Sequence, residues 1–366
     1  MEKEIDELLT RGVIEVIDKD DLKEKLHSGK KLRIKLGIDP TSPNIHIGRA
    51  VALWKLRAFQ DLGHTAVFII GDDTGVVGDT SDKDAERPMI SKDEVKENMK
   101  GYFDQVFKIL DKDKTETHHN SEWLSKLGLE DLAKMASHFG LHEFASRDVI
   151  ARRIAAGQRV SFQELLYPLM QGYDSVAIKA DVELGGNDQR FNLLTGRKIQ
   201  PIYGQESQNI MMLEIIEGTD GRKMSSSWGN SINITDEPNN MYGKVMSVVD
   251  AQVLNYFKLC TRVSLDEIEK ISTGLEDTTI HPKDAKMRLA REIVALYHGA
   301  ESAQNAEENF IKTFSNKEIP EDILKIEVAL GEKLSDILQE AGLVKSKSEF
   351  RTLVDEGAVM NMEIGE

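Results

Sequence analysis

The chain has 366 residues, 40% of them hydrophobic and 30% charged, which is enough for two to three domains and excludes a disordered chain. With 47 basic against 63 acidic side chains its formal charge is −16, an argument against a protein that coats nucleic acid non-specifically, though not against a local basic patch. No apolar run approaches the ~20 residues that span a bilayer, and the N-terminus is acidic and amphipathic, so no membrane is expected and the cytoplasm is the expected location.

Four short apolar runs, at 33–38, 66–71, 181–185 and 209–213, read as strands separated by helical patterns. That alternation predicts an α/β domain with a mainly parallel sheet. Between the first two runs, Ile47, Val51, Trp54, Ala58 and Leu62 recur at helical spacing, and Gly63 stops a helix over 46–62. From about 91 to 172 the pattern is helical and charged, with no strong strand signal. It is helical again from 235 to about 326, with Val245, Met246, Val249, Leu254, Phe257 and Leu259 as core candidates. The only cysteine, Cys260, falls in this stretch; it rules out a disulfide framework and a multi-cysteine zinc site and reads as a small core residue. A small helical module follows from 327, with Leu334, Ile337, Leu338 and Leu343 and a second helix over 347–355.

Two segments carry chemistry. The first leaves the first strand as Gly37-Ile38-Asp39-Pro40-Thr41-Ser42-Pro43 and enters the helix as His46-Ile47-Gly48-Arg49. A strand end feeding a helix N-terminus offers backbone N–H groups and the positive end of the helix dipole to an anion. Gly48 lets a flat ring or a ribose approach the backbone, and His46 can donate to a phosphate oxygen. The second, Asp220-Gly221-Arg222-Lys223-Met224-Ser225-Ser226-Ser227, is a polar loop with adjacent cations and hydroxyls that can close over an anion. Alone, the first is as readily an ordinary capped helix with a surface histidine, and the second more readily a flexible linker.

Together, in this order and spacing, they resemble the HIGH and KMSKS signatures of class I aminoacyl-tRNA synthetases. With Gly78-Asp79, Lys83, Arg87, the run Tyr167-Pro168-Leu169-Met170-Gln171-Gly172-Tyr173-Asp174 and Gly185-Gly186-Asn187-Asp188-Gln189, the resemblance is to the tyrosyl-tRNA synthetases of bacterial type and covers essentially the whole chain. The family implies a Rossmann-like catalytic domain over 1–217, with a helical insertion at about 115–165 that forms a homodimer interface. A loop and α-helical domain over 218–326 and an S4-like RNA-binding module over 327–366, apparently incomplete, complete the expected architecture.

The resemblance implies that tyrosine is activated with ATP to tyrosyl-adenylate and pyrophosphate, and that the tyrosyl group passes to tRNA(Tyr). Tyrosine binding falls to Gly37, Asp79, Tyr167, Gln171, Asp174 and Gln189, with Asp174 on the phenol hydroxyl. ATP binding falls to Asp39, Thr41, His46, Gly48, Arg49, Asp188, Lys223, Ser225 and Ser226. Catalysis is assigned to His46, Arg49, Thr41, Lys83, Arg87, Lys223 and Ser226. Mg²⁺ is expected to travel with the triphosphate, with no protein metal site. Lys345, Lys347 and Arg351 are the RNA-binding candidates of the last module. Further basic clusters lie at Arg147, Arg152 and Arg153 and at Lys283, Lys286, Arg288 and Arg291; each residue alone reads as part of a solvated helix face.

Three positions depart from the family pattern. Arg49 replaces the second histidine of HIGH, Ser226 the second lysine of KMSKS, and Lys35 stands where many members carry a tyrosine that contacts the substrate hydroxyl. The first two suggest that a cation lost from the closing loop is regained at the helix mouth. The third leaves tyrosine specificity resting on Asp174 and its Tyr-Asp context, which also disfavours a tryptophan-specific sister ligase. A catalytically weakened or silent RNA-binding relative is the other alternative.

Overall fold

The structure, a computed structural model, describes residues 2–79, 89–225, 228–315, 332–344, 346–355 and 359. By its contacts the chain forms two units, Met1–Phe310 and Ile311–Glu366.

The first unit is built on a six-stranded sheet: β1 (Val13–Ile17), β2 (Arg33–Ile38), β3 (Thr65–Ile70), β4 (Thr115–His119), β5 (Val182–Gly186) and β6 (Asn209–Leu213). Their order is β1-β6-β5-β2-β3-β4, parallel throughout except for β1 against β6. The four expected strands are present within a residue of their expected ends, and their near-continuous burial is that of a parallel sheet covered on both faces. Two more strands form the edges. β4 corrects the expectation that 91–172 holds no strand; its sequence Thr-Glu-Thr-His-His carries no apolar signal because an edge strand can present polar side chains to water. The chain fills β2, β3 and β4 in one direction and then crosses over to β5 and β6, so strand order reverses between β2 and β5.

The helices of this unit, in chain order, are α1 (Glu2–Thr10), α2 (Lys19–His27), α3 (Ile47–Asp61), α4 (Asp72–Val77), α5 (Lys92–Asn98), α6 (Tyr102–Val106), α7 (Ser121–Leu124), α8 (Leu129–Ala136), α9 (Leu141–Ala145), α10 (Asp148–Ala155), α11 (Gln163–Ile178), α12 (Arg190–Ile199), α13 (Pro238–Met246), α14 (Val253–Cys260), α15 (Leu265–Glu276), α16 (Pro282–His298) and α17 (Ala300–Phe310). Helix α3 is buried on more than the stripe its spacing suggested: Ala50, Leu53, Leu56 and Phe59 are buried as well as Ile47 and Val51, while Trp54, Ala58 and Leu62 are half-buried. The reason is that α3 is sandwiched, with β2 and β3 on one side and α14 on another. Its neighbours are pinned by cations. Lys55 Nζ donates to the carbonyls of Leu8 and Arg11 at the end of α1, while the Arg11 guanidinium donates to those of Phe257, Lys258 and Thr261 at the end of α14. Such donors satisfy helix carbonyls that have no intrahelical partner.

The helices after 235 share one continuous core with the sheet, including Met241, Tyr242, Val245, Phe257, Leu259, Cys260, Leu289 and Ile293. Cys260 is buried as expected. Val249 is an exception, exposed in the turn after α13. In the 115–165 segment, α7 to α10 follow β4, and Met135 and Phe144 pack with Leu169, Val176 and Ile199. Tyr173 belongs to this small core, edge-on to Tyr203. The basic cluster there is only partly a solvated face: Arg152 is exposed, but Arg153 is buried in α10 and holds Glu164 of α11 through two hydrogen bonds. The second unit contains α18 (Leu334–Glu340) and α19 (Lys347–Asp355) among its described residues.

Candidate active site

A cavity of about 980 Å³ opens at the carboxyl ends of β2 and β5, where strand order reverses. Open α/β sheets place ligands at this topological position. Two features give the cavity its chemistry, a buried polar floor under α11 and a cationic mouth at the start of α3.

The floor is built from one face of α11, where Tyr167, Gln171 and Asp174 follow at i, i+4 and i+7. Asp174 is buried, and each oxygen already accepts one bond: Oδ1 from Trp123 Nε1 at 2.7 Å, Oδ2 from Asn120 Nδ2 at 3.3 Å. A carboxylate has room for further donors, so a hydroxyl can join them. Burial pushes the Asp174 carboxyl up to about 7, against the opposing pull of Lys35 and the two donors. Gln171 Nε2 donates to Glu183 Oε1, while its Oε1 is buried with no partner among the described residues and can accept from an ammonium group. Gln189 Nε2 donates to Asp79 Oδ2, and both residues line the cavity, as does Gly37.

Toward the mouth, Asp39 ties floor to rim. Its Oδ2 accepts from Tyr167 Oη at 2.9 Å and its Oδ1 from Thr74 Oγ1 at 2.7 Å. The loop after β3 comes so close that a Cβ on Gly71 would lie 2.1 Å from Asp39 Oδ1, which requires glycine there. His46 is the N-cap of α3, its Nδ1 accepting from the Arg49 N–H. Desolvation, with Arg49 and Lys223 nearby, holds the imidazole down at about 3. It is therefore neutral, and with Nδ1 accepting, Nε2 carries the proton and serves as the donor.

The guanidinium of Arg49 is committed to the loop before α3. It donates to Thr41 Oγ1 at 2.6 Å, to Tyr102 Oη at 2.8 Å and to the Asp39 carbonyl at 3.3 Å. The two sequence motifs do meet. Residues 45–47 pair with 232–234, just beyond the second motif, through Ile47 N–H to the Ile232 carbonyl and Ile234 N–H to the Ile45 carbonyl. Met224 is buried, its Sδ 3.2 Å from where a Cβ on Gly48 would sit. Asn230 braces the loop, donating to Asp220 and to the Lys223 carbonyl and accepting from the Ser225 N–H.

The structure thus brings Gly37, Asp39, Thr41, His46, Gly48, Arg49, Asp79, Tyr167, Gln171, Asp174, Asp188, Gln189, Lys223 and Ser225 around one cavity. Lys83, Arg87, Ser226 and Lys345 lie outside the described residues. Of the other RNA candidates, Arg351 is exposed and Lys347 is paired with Asp336. Lys286, Arg288 and Arg291 are paired with Asp250, Glu267 and Glu307. Sequence reasoning missed Trp123, Asn120, Thr74, Tyr102 and Glu183. Glu183 alone had a usable signal, as the one charge of β5, opposite Lys35 in the middle of β2.

Comparison with known proteins agrees with this geometry. The family model for class I tRNA synthetases of the tryptophan and tyrosine group matches residues 27–315. The chain belongs to that family. Within it, the similar relatives are tyrosine–tRNA ligases. That of Thermotoga maritima is 47% identical over 353 residues, covering 96% of this chain and 88% of its own. That of Carboxydothermus hydrogenoformans is 47% identical over 366 residues, covering 97% and 89%. Among solved structures, a C-terminally truncated mitochondrial tyrosyl-tRNA synthetase from Aspergillus nidulans matches with a TM-score of 0.71 at 22% identity, over 85% of this chain and 94% of that one. The tyrosyl-tRNA synthetase of Archaeoglobus fulgidus, solved with L-tyrosine, matches with a TM-score of 0.66 at 23% identity, over 84% and 99%. At these identities the structural likeness speaks for the fold.

Proposed function

We propose that this chain activates L-tyrosine with ATP and transfers the tyrosyl group to tRNA(Tyr). The observation that carries the reading is a single cavity with a buried carboxylate floor, Asp174, and a rim where the His46 helix start meets the Lys223–Ser225 loop. The substrate phenol donates to Asp174. The α-ammonium group is received by the unpartnered Gln171 Oε1, with Asp79 and Tyr167 beside it. Gln189 faces the carboxylate. That arrangement points the carboxylate at the rim, where Asp39, Thr41, Gly48, Arg49 and Asp188 receive ATP.

No nucleophile on the enzyme is required. A carboxylate oxygen of tyrosine forms a bond to the α-phosphorus while the bond to pyrophosphate breaks. The rate gain comes from orientation and from charge stabilisation by His46 Nε2–H, Lys223, Lys83, Arg87 and the serines of the second motif. A hydroxyl of the terminal tRNA ribose then attacks the carbonyl and releases AMP. Mg²⁺ arrives as part of the nucleotide substrate, held mainly by phosphate oxygens. Because phenylalanine leaves the hydroxyl's place on a buried carboxylate unfilled, this floor rejects it without editing, by up to roughly 10⁴–10⁵.

We read the last module, with Lys345, Lys347 and Arg351, as an RNA contact of S4 type, and the cytoplasm as the place of action. Exposed Leu129, Leu141 and Phe162, all within the 115–165 insertion, support a homodimer through that surface. Light scattering should give twice the chain mass, and Leu141→Glu with Phe162→Glu should give the monomer. The function itself is tested by ATP–pyrophosphate exchange with each of the twenty amino acids. Exchange with tyrosine alone is expected; exchange with none, in folded protein, would move the reading to an RNA-binding relative.

A further inference from the structure

Two opposite charges are buried at the point where the sheet reverses. Lys35 of β2 and Glu183 of β5 are partners across the parallel pair, with side chains 0% and 2% exposed and Nζ 2.8 Å from Oε1. The ammonium donates to the Gln171 carbonyl and to Ser175 Oγ, each at 2.8 Å, and is ion-paired with Glu183 Oε1 at the same distance. The carboxylate is equally engaged: Oε1 also accepts from Gln171 Nε2, and Oε2 accepts from Ser175 Oγ and Gln208 Nε2. Lys35 is thus engaged by Glu183, Gln171 and Ser175 and acts through what it holds.

Stability alone does not account for the pair. Replacing a buried ion pair by apolar residues of similar volume is often neutral or stabilising, so charges kept here point to another role. What the pair grips is one turn of α11, from Gln171 to Ser175, and Asp174 lies inside that turn. The charged and titratable groups that face Asp174 are Lys35 on β2, Glu183 on β5 and Tyr167 on α11 itself, while Trp123 and Asn120 contribute neutral donors.

We infer that the Lys35–Glu183 pair is a positioning element for hydroxyl recognition: it fixes the α11 turn that carries Gln171 and Asp174 and keeps a cation near Asp174, so that one carboxylate reads the substrate phenol. This rests on the tyrosine-activating reading proposed above. Burial drives the Asp174 carboxyl toward its neutral form, and Lys35 is the foremost influence against that. A neutral carboxyl loses its hold on a donating hydroxyl. Glu183 works the other way, so the two members of the pair pull Asp174 in opposite directions.

That opposition gives a test that disruption of the fold cannot mimic. The variants are Lys35→Met, Glu183→Gln and the charge-neutral double variant. The KM for tyrosine and for phenylalanine in ATP–pyrophosphate exchange is followed across pH 5.5–9, beside a thermal melt. In the parent protein the KM for tyrosine should rise as pH falls through about 7. Lys35→Met should move that midpoint up and Glu183→Gln should move it down, with the double variant between Lys35→Met and the parent. At neutral pH the tyrosine-over-phenylalanine preference should fall about fivefold in Lys35→Met, because one unit of carboxyl pKa takes the ionised share of Asp174 from about a half to about a tenth. Should Lys35→Met fail to fold, Glu183→Gln and the double variant still set the two directions. Midpoints that stay put, or that move the same way in all folded variants, overturn the proposal. A parent protein without tyrosine-dependent exchange overturns instead the reading on which it rests.

Discussion

Arg49 offers the sharpest test of how the rim is held. Arg49→Met keeps the aliphatic stem and removes a guanidinium that donates to Thr41 Oγ1, Tyr102 Oη and the Asp39 carbonyl. A hydrogen bond from a charged donor contributes ~1.5–3 kcal/mol, but the three do not count equally. Thr41 is half-buried and can turn to water, and the Asp39 contact is long. The bond to Tyr102 counts in full, because that hydroxyl is buried, although it still donates to the Ser42 carbonyl. The net loss is therefore about 2–3 kcal/mol, placed on the loop that receives the phosphates. At about 1.4 kcal/mol per factor of ten, the KM for ATP should rise roughly 30- to 150-fold. The KM for tyrosine should change far less, since Asp174 and Gln171 keep their partners. ATP titrations of pyrophosphate exchange at saturating tyrosine measure the effect, and Tyr102→Phe completes a double-mutant cycle with at least ~1 kcal/mol of coupling. A rise in the KM for ATP of under about threefold, or strict additivity with Tyr102→Phe, would refute the assignment of Arg49 to this loop.

Three further outcomes follow from the same geometry. Glu164→Gln breaks a buried, doubly bonded pair with Arg153 and should cost ~3–5 kcal/mol in urea denaturation, a result under about 1 kcal/mol counting against it. Trp123→Phe removes one of the two donors on Asp174, so the KM for tyrosine should rise ~5- to 50-fold near pH 7 and at most about twofold at pH 9, where the carboxyl is mostly ionised; a pH-independent rise would sink the argument. His46 stays neutral in the folded protein down to about 3, whereas an unfolded histidine takes up a proton near pH 6.5. Below that pH the unfolded state binds more protons, so His46 costs stability as pH falls from about 6.5 toward 3, by up to about 1.4 kcal/mol per pH unit. His46→Asn keeps an N-cap acceptor and should flatten that loss between pH 7 and 5; identical slopes for the two proteins would contradict the buried, neutral ring.

The difference between what the sequence revealed and what it hid has a physical cause. Strands β2, β3, β5 and β6 are central and buried, so their side chains are mostly apolar, the Lys35–Glu183 pair apart, and their pattern was legible. β1 and β4 are edges whose residues answer to water as much as to the sheet. The cavity residues Asp39, His46, Gly48, Tyr167, Gln171 and Asp174 could be placed because they sit in short motifs tied to a strand end or one helix face. Trp123, Asn120 and Thr74 could not, because Thr74 reaches the site from the connection after β3 and Asn120 and Trp123 from the one after β4, and only the folded sheet sets them side by side. Arg49 illustrates a further limit. Its position in the motif was legible, but its orientation depends on Tyr102, more than fifty residues later in the chain, which turns the guanidinium onto the loop.

These hidden residues form a path between the two ends of the cavity. Asn120 Nδ2 bridges Asp174 and Thr74, Thr74 Oγ1 passes its proton bond to Asp39, and Asp39 in turn holds Tyr167 through its side chain and Arg49 through its carbonyl. The Thr74 hydroxyl, which accepts from Asn120 and donates to Asp39, is the link to test. Thr74→Val is nearly isosteric and severs it. Both neighbours lose one bond inside a buried network, about 1–3 kcal/mol in all. If the path couples the ends, tyrosine and ATP each bind more tightly in the presence of the other in the parent protein, by equal factors as linkage demands. In Thr74→Val that mutual factor should shrink toward one, even where the individual affinities change little. Equilibrium binding of tyrosine with and without a non-hydrolysable ATP analogue measures it directly. An undiminished factor in the variant would mean that floor and rim share a cavity without sharing an equilibrium.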